Sequence, residues 1–103
     1  MNRILILFFI LPFYCAAQSA DSYIQSGNNK ANKKDYRGAI ADFTRAIGID
    51  GAKSKAYFYR GNAYTNIQEN TEAIKDYTKT IELDPKNTNA YFYRADALSL
   101  IHI

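Results

Sequence analysis

The pentapeptide AYFYR occupies Ala56–Arg60 and again Ala90–Arg94, so its two copies begin 34 residues apart. The likeness runs on in both directions without a gap. Ala63 matches Ala97 and Ile67 matches Ile101. One period earlier, Gly27-Asn28 aligns with Gly61-Asn62, Ala39-Ile40 with Ala73-Ile74, and Asp42-Phe43-Thr44 with Asp76-Tyr77-Thr78. Ile47, Ile49 and Asp50 align with Ile81, Leu83 and Asp84. A constant offset means that every unit has the same backbone length, so what recurs is structural. A period of this length points to an array of helix-turn-helix units.

Residues 54–87 show how one unit is built. At about 100° per residue, Tyr57, Gly61, Tyr64 and Ile67 share one side of a helix, with Ala56 and Ala63 at its margins. Ser54 is expected to cap this helix. Gln68-Glu69-Asn70-Thr71 breaks the pattern, and Asn70 or Thr71 is expected to cap the next helix. Ala73, Ile74, Tyr77, Thr80 and Ile81 form its stripe. Leu83-Asp84-Pro85 ends it, because proline disfavours the helical conformation in the residue before it. Residues 20–53 repeat the design with Tyr23, Gly27, Ala31, Ala39, Phe43, Ala46 and Ile47. Gly51 stands where Pro85 stands later and is expected to stop the helix through a left-handed turn. Glycine inside a helix costs about 1 kcal/mol relative to alanine. Gly27 and Gly61 therefore mark places where a neighbouring helix comes close, and Ala39 and Ala73 are hollows for aromatic rings.

Tyr57, Gly61, Tyr64, Ala73, Tyr77 and Pro85, at these offsets, resemble the tetratricopeptide repeat. The resemblance covers two full units, about 20–53 and 54–87, and the first helix of a third, 88–103. It implies an all-α fold: a right-handed α-solenoid of antiparallel helix-turn-helix repeats, about five helices in one domain spanning 18–103. It also implies a protein–protein interaction module, in which the first helix of each unit lines a concave groove for a peptide or a partner's helix. Four residues depart from the family pattern. Arg60 and Arg94 stand where the family often has leucine, so their stems are expected to pack while the guanidiniums reach water. Thr80 replaces a small alanine, and Ala95 replaces the glycine.

The candidate groove residues lie opposite the core stripe. They are Ile24 and Asn28 (with Asp21) in the first unit, Lys55, Phe58 and Asn62 in the second, and Asn89, Phe92 and Asp96 in the third. Tyr59, Thr65, Asn66 and Tyr93 lie nearby. Ile24, Phe58 and Phe92 would form an apolar strip; the alternative is that Phe58 and Phe92 fill gaps between neighbouring helices. Asn28 and Asn62 offer donors and an acceptor suited to a peptide backbone. One version of the family is a clamp for the acidic C-terminal tails of heat-shock chaperones, built from lysine, arginine and asparagine. Only Asn28 matches it. Ile24, Tyr59, Asn89 and Tyr93 stand at the clamp's other positions, so an apolar or mixed ligand is expected instead.

Residues 1–17 are unlike the rest. Arg3, the apolar run Ile4–Leu11 and the small residues Cys15-Ala16-Ala17 describe a secretory signal peptide cut after Ala17. A transmembrane helix is the rival, but it needs about 20 apolar residues; a lipid-modified Cys15 is a third reading. The mature chain is then exported to the periplasm, the cell surface or the medium, and it touches membrane only through the uncut signal. The only cysteine leaves with the signal, so no disulfide reinforces the fold. Basic and acidic residues are interspersed through the remainder, without the basic stripe that nucleic acid requires.

Site chemistry is sparse. The mature chain has no cysteine and one histidine, His102, so a nucleophile–base pair and a His/Cys metal cluster are both missing. No cofactor is expected, and the chain reads as no enzyme. Asp42 and Asp76 recur with Arg45 and Lys79 three positions on, which reads as surface pairing. Leu98 and Ile101 are expected to cover the second unit, leaving Leu100 and Ile103 over. That apolar end implies a partner, a homo-oligomer, or further repeats in a longer reading frame. The rival to a groove with a ligand is thus a truncated or self-associating structural fragment.

Overall fold

The computed structural model describes residues 18–101; the expected signal segment, His102 and Ile103 lie outside them. Five helices follow one another: α1 Ala20–Asn32, α2 Tyr36–Ile49, α3 Ser54–Asn66, α4 Asn70–Leu83 and α5 Thr88–Leu100. The described residues contain no strand. Each helix packs on the next in the chain, and α1 also touches α3, so the hairpins stack into a solenoid. No helix among the described residues is long and apolar enough to cross a membrane.

The same two turns are used in each unit. Inside a hairpin, one residue takes the left-handed conformation: Lys34 (φ 67°) and its equivalent Gln68 (φ 63°). The amide that follows reaches back across the turn, Asp35 to the Lys30 carbonyl (2.8 Å) and Glu69 to the Tyr64 carbonyl (2.9 Å). Between hairpins the chain leaves the helical conformation at Asp50 (φ −142°, ψ 97°) and Asp84 (φ −141°, ψ 84°). Their carboxylates accept from the amides two residues on, Ala52 (3.0 Å) and Lys86 (3.3 Å). Gly51 takes no left-handed turn, since no described glycine has positive φ. The aspartate common to both units stops the helix instead.

Capping also differs from expectation. Ser19, Asp35 and Asn87 cap α1, α2 and α5, accepting from the amides of Ser22, Gly38 and Ala90. Ser54 and Asn70 are already inside their helices, and the residues before them, Lys53 and Glu69, make no side-chain cap.

Packing explains the glycines. The Phe43 ring lies so close to Gly27 that an added β-carbon would sit 2.5 Å from Cε1; at Gly61 the Tyr77 Cε1 would be 2.8 Å away. Ala39 and Ala73 are fully buried beside these rings. Ala56, Ala63, Ala90 and Ala97 are buried too, although a single aromatic stripe leaves them at the edge. In the second unit the first helix, α3, has two buried faces. Gly61 meets α4, whereas Ala56 joins the cluster of Phe43 and Ala46 in the preceding unit. In α5, Ala90 and Ala97 are the buried residues, and Leu98 and Ile101 remain exposed.

Asp42 and Asp76 are core residues, 2% and 4% exposed. Asp76 is held by Arg60, whose Nε and Nη2 each donate over 2.8 Å. The Arg60 Nη1 donates to Thr44 of the preceding unit (3.2 Å), so this guanidinium closes on a buried carboxylate. Lys79 pairs with Glu82 instead (3.6 Å). In the first unit Ser26 occupies the place of Arg60. Its hydroxyl donates to Asp42 (2.6 Å), and Lys30 (3.0 Å) and Arg45 (3.6 Å) supply the charge.

Candidate functional site

Stacking places the outward residues of α3 and α5 on either side of a shallow cleft of about 340 Å³. Asn62, Thr65 and Asn66 form one wall, Tyr93 and Asp96 the other, and Tyr77 of α4 the floor. Each wall follows from helical spacing, which sets residues three and four apart on one face. The floor follows from Gly61, whose missing side chain lets the Tyr77 ring pass beneath α3.

The Tyr77 hydroxyl orders the polar wall. It donates to Asn62 Oδ1 (2.7 Å) and meets Thr65 Oγ1 at 3.1 Å. Asn66 Nδ2 donates to the Asn62 carbonyl (2.9 Å), tying the two carboxamides to one helical turn. Burial pushes the Tyr77 phenol up from its ordinary value, against the lowering effect of Thr65, so it remains a neutral donor. Asn62 thus faces the cleft with its oxygen engaged and its NH₂ group as the donor on offer. Phe43 stands at the matching place in the first unit and has no hydroxyl, so Asn28 lacks this tether. Asp96 is the acidic residue of the cleft.

The structure separates the expected groove residues. Asn62 and Asp96 meet at the cleft, with Thr65, Asn66 and Tyr93 beside them. Asn28 is half-buried, and Lys55 and Asn89 are exposed on their helices. The strip of Ile24, Phe58 and Phe92 is not continuous. Ile24 is 7% exposed and belongs to the core around Phe43. Phe58 fills the gap between units, with ring centroids at 5.7 Å from Tyr59 and 6.0 Å from both Tyr77 and Tyr93. Phe92, in the same register, is 68% exposed. In α1 and α3 the following unit packs against this position. Sequence reading placed Tyr77 in the core and missed its part in the cleft. The available sign was the hydroxyl that distinguishes it from Phe43. Among the described residues no group of acidic, histidine or cysteine side chains is placed to hold a metal ion.

Comparison with known proteins agrees with this architecture. The family model described as tetratricopeptide repeat matches residues 54–87, and a second model of that description matches 20–53. No curated protein matches the chain. Among solved structures, the second such domain of Spaghetti (RPAP3), bound to the HSP90 peptide SRMEEVD, is 36% identical. The match covers 82% of this chain and 78% of that one, with a TM-score of 0.80. The second domain of human RPAP3, in complex with the HSP70 peptide SGPTIEEVD, is 35% identical over 80% of this chain and 68% of that one, with a TM-score of 0.78. The TPR2B domain of yeast Sti1, in a complex with pHsp70, is 28% identical over 80% and 66%, with a TM-score of 0.77. Repeat period, helix order and these likenesses agree: the chain belongs to the tetratricopeptide repeat family.

Proposed function

We propose that this chain is an exported protein-interaction module whose concave face holds an extended peptide segment of a partner protein. The cleft between α3 and α5 carries the reading. It combines a tethered carboxamide donor at Asn62, hydroxyls at Thr65 and Tyr77, and the flat ring of Tyr93. Such a wall suits a backbone with apolar or mixed side chains. The similar domains of Spaghetti and human RPAP3 bind peptides ending in EEVD. Asp96 repels an acidic tail, and Ile24, Tyr59, Asn89 and Tyr93 supply no cation, so the ligand proposed here is not acidic. Export rests on the composition of residues 1–17, and catalysis forms no part of this function.

Selection from a displayed library of random peptides tests it. Enriched sequences should be apolar or mixed, bind the full chain, and lose affinity on Asn62→Ala; SRMEEVD should not compete. Enrichment of acidic C-terminal sequences, or indifference to Asn62→Ala, would contradict the proposal. For export, N-terminal sequencing of the secreted product should begin at Gln18; a protein retained with Met1 intact would contradict it.

A further inference from the structure

The chain has 10 acidic residues, and all of them lie among the described residues. Those at the turns accept from backbone amides. Those on the helices accept from a lysine, an arginine or a serine. Asp96 is the exception: among the described residues its carboxylate has no partner of either kind, and it lines the cleft between α3 and α5. The nearest arginine in sequence is turned elsewhere. Arg94 donates to Thr78 (3.4 Å) and lies over the Tyr91 ring at 5.8 Å. The place itself is open in every unit. Its equivalents Asn28 and Asn62 each have a further unit packed after them and both remain partly exposed.

The rest of the cleft favours a cation beside that carboxylate. The Tyr77 proton goes to Asn62 Oδ1, and the Thr65 proton is claimed by the Gly61 carbonyl (3.0 Å) or the Tyr77 oxygen. What both hydroxyls have left is acceptor capacity. Asn66 spends its Nδ2 on the Asn62 carbonyl, so its own oxygen is left as well. Asn62 is then the donor for a peptide carbonyl, and the other polar groups accept. Tyr93 stands three positions before Asp96, on the same face of α5. Its ring is backed by Phe58 at 6.0 Å and Tyr77 at 6.2 Å, and it is 40% exposed. An arginine of the chain lies over each of Tyr23, Tyr57, Tyr64 and Tyr91, but none lies over Tyr93.

We infer that the peptide held in this cleft carries an arginine whose guanidinium pairs with Asp96 and stacks on Tyr93; this rests on the peptide reading of the same cleft and adds the residue that the cleft selects. A flat guanidinium meets both requirements at once, because its fork matches a carboxylate and its plane matches an aromatic face. The α3 wall then holds the peptide backbone, and the α5 wall reads the side chain.

The probe is an array of acetylated, amidated heptapeptides with arginine, citrulline or glutamate at the centre and only uncharged residues around it. The array is exposed to the labelled full chain, and the best peptides are titrated by fluorescence anisotropy. Citrulline keeps the shape of arginine without the charge. Arginine peptides should bind about fivefold more tightly than their citrulline forms, as fits a solvent-exposed ion pair, and the advantage should shrink in high salt. Asp96→Asn should abolish the advantage and leave both the citrulline affinity and the melting temperature unchanged. Asp96→Lys should shift the preference to glutamate peptides, a reversal that a merely structural role would not give. Asn62→Ala should weaken arginine and citrulline peptides alike. Equal binding of the two, or an arginine preference that survives Asp96→Asn, would overturn the inference while leaving the peptide reading intact, provided Asn62→Ala still weakens both. Retention of no peptide class, or indifference to Asn62→Ala, would overturn the peptide reading and the inference together.

Discussion

Arg60 on α3 grips Asp76 on α4 through two hydrogen bonds of 2.8 Å, and the same guanidinium touches Thr44 in the preceding unit. One side chain therefore joins three helices. The Asp76 hydrogen bond raises the affinity of Arg60 for its proton, so the cation persists at every working pH. Removing one partner of a buried pair leaves an uncompensated charge and costs about 3–5 kcal/mol, whereas replacing both with apolar groups is often nearly neutral. Arg60→Leu should destabilise the fold by about 3 kcal/mol, and Arg60→Leu with Asp76→Leu by much less. Urea unfolding of the two single variants and the double variant checks this; additive losses would contradict it.

The two helical glycines make a second prediction. Alanine in a helix interior normally gains about 1 kcal/mol over glycine, but overpacking costs about 1–3 kcal/mol. The Phe43 ring is closer to Gly27 than the Tyr77 ring is to Gly61. Both Gly→Ala changes should lower the melting temperature, Gly27→Ala more than Gly61→Ala. Ala95→Gly, at an exposed place on α5, should be destabilising by about 1 kcal/mol through propensity alone.

Phe58 and Phe92 share a register position but not an environment. Phe58 touches three tyrosine rings, and Phe92 packs edge-on to Tyr93 alone among those pairs. Phe58→Ala should cost about 2–3 kcal/mol, toward the low end for a partly enclosed ring. Phe92→Ala should stay within about 0.5 kcal/mol. Thermal unfolding followed by circular dichroism distinguishes them.

Acid should reach Asp42 in a defined direction. Burial disfavours its charged form, but the Ser26 hydroxyl, Lys30 and Arg45 outweigh that and hold the carboxyl below its ordinary value. A carboxylate with a lowered folded-state pKa contributes stability that is complete above its unfolded pKa. That contribution is lost as pH falls through the folded pKa. The gap between wild type and Asp42→Asn should therefore persist from about pH 7 to pH 5 and close as pH drops below about 4. A gap that widens on acidification would contradict this sign.

Much of this architecture was legible in the 34-residue offset, because equal backbone length fixes equal hairpins. The glycine–aromatic contacts were legible too, since helical glycine is costly without a reason. Two features were hidden for physical causes. The first helix of the second unit buries two faces, so choosing the aromatic stripe alone left Ala56 and Ala63 at the margin. Asp42 and Asp76 were matched with bases three positions away on their own helix. Their main hydrogen-bond partners, Ser26 and Arg60, stand sixteen positions earlier, on a different helix. For the site, Asn62 and Asp96 were visible as outward residues. The role of Tyr77 depends on how deeply its ring passes beneath Gly61, which helical spacing does not disclose.

The central claim is that the concave face between α3 and α5 receives a partner's peptide. Amide chemical-shift mapping of the isotope-labelled chain, titrated with a library-selected peptide, tests it most directly. The account predicts shifts concentrated at Asn62, Thr65, Asn66, Tyr93 and Asp96. Shifts confined to other surfaces, with these five unmoved at saturation, would contradict it.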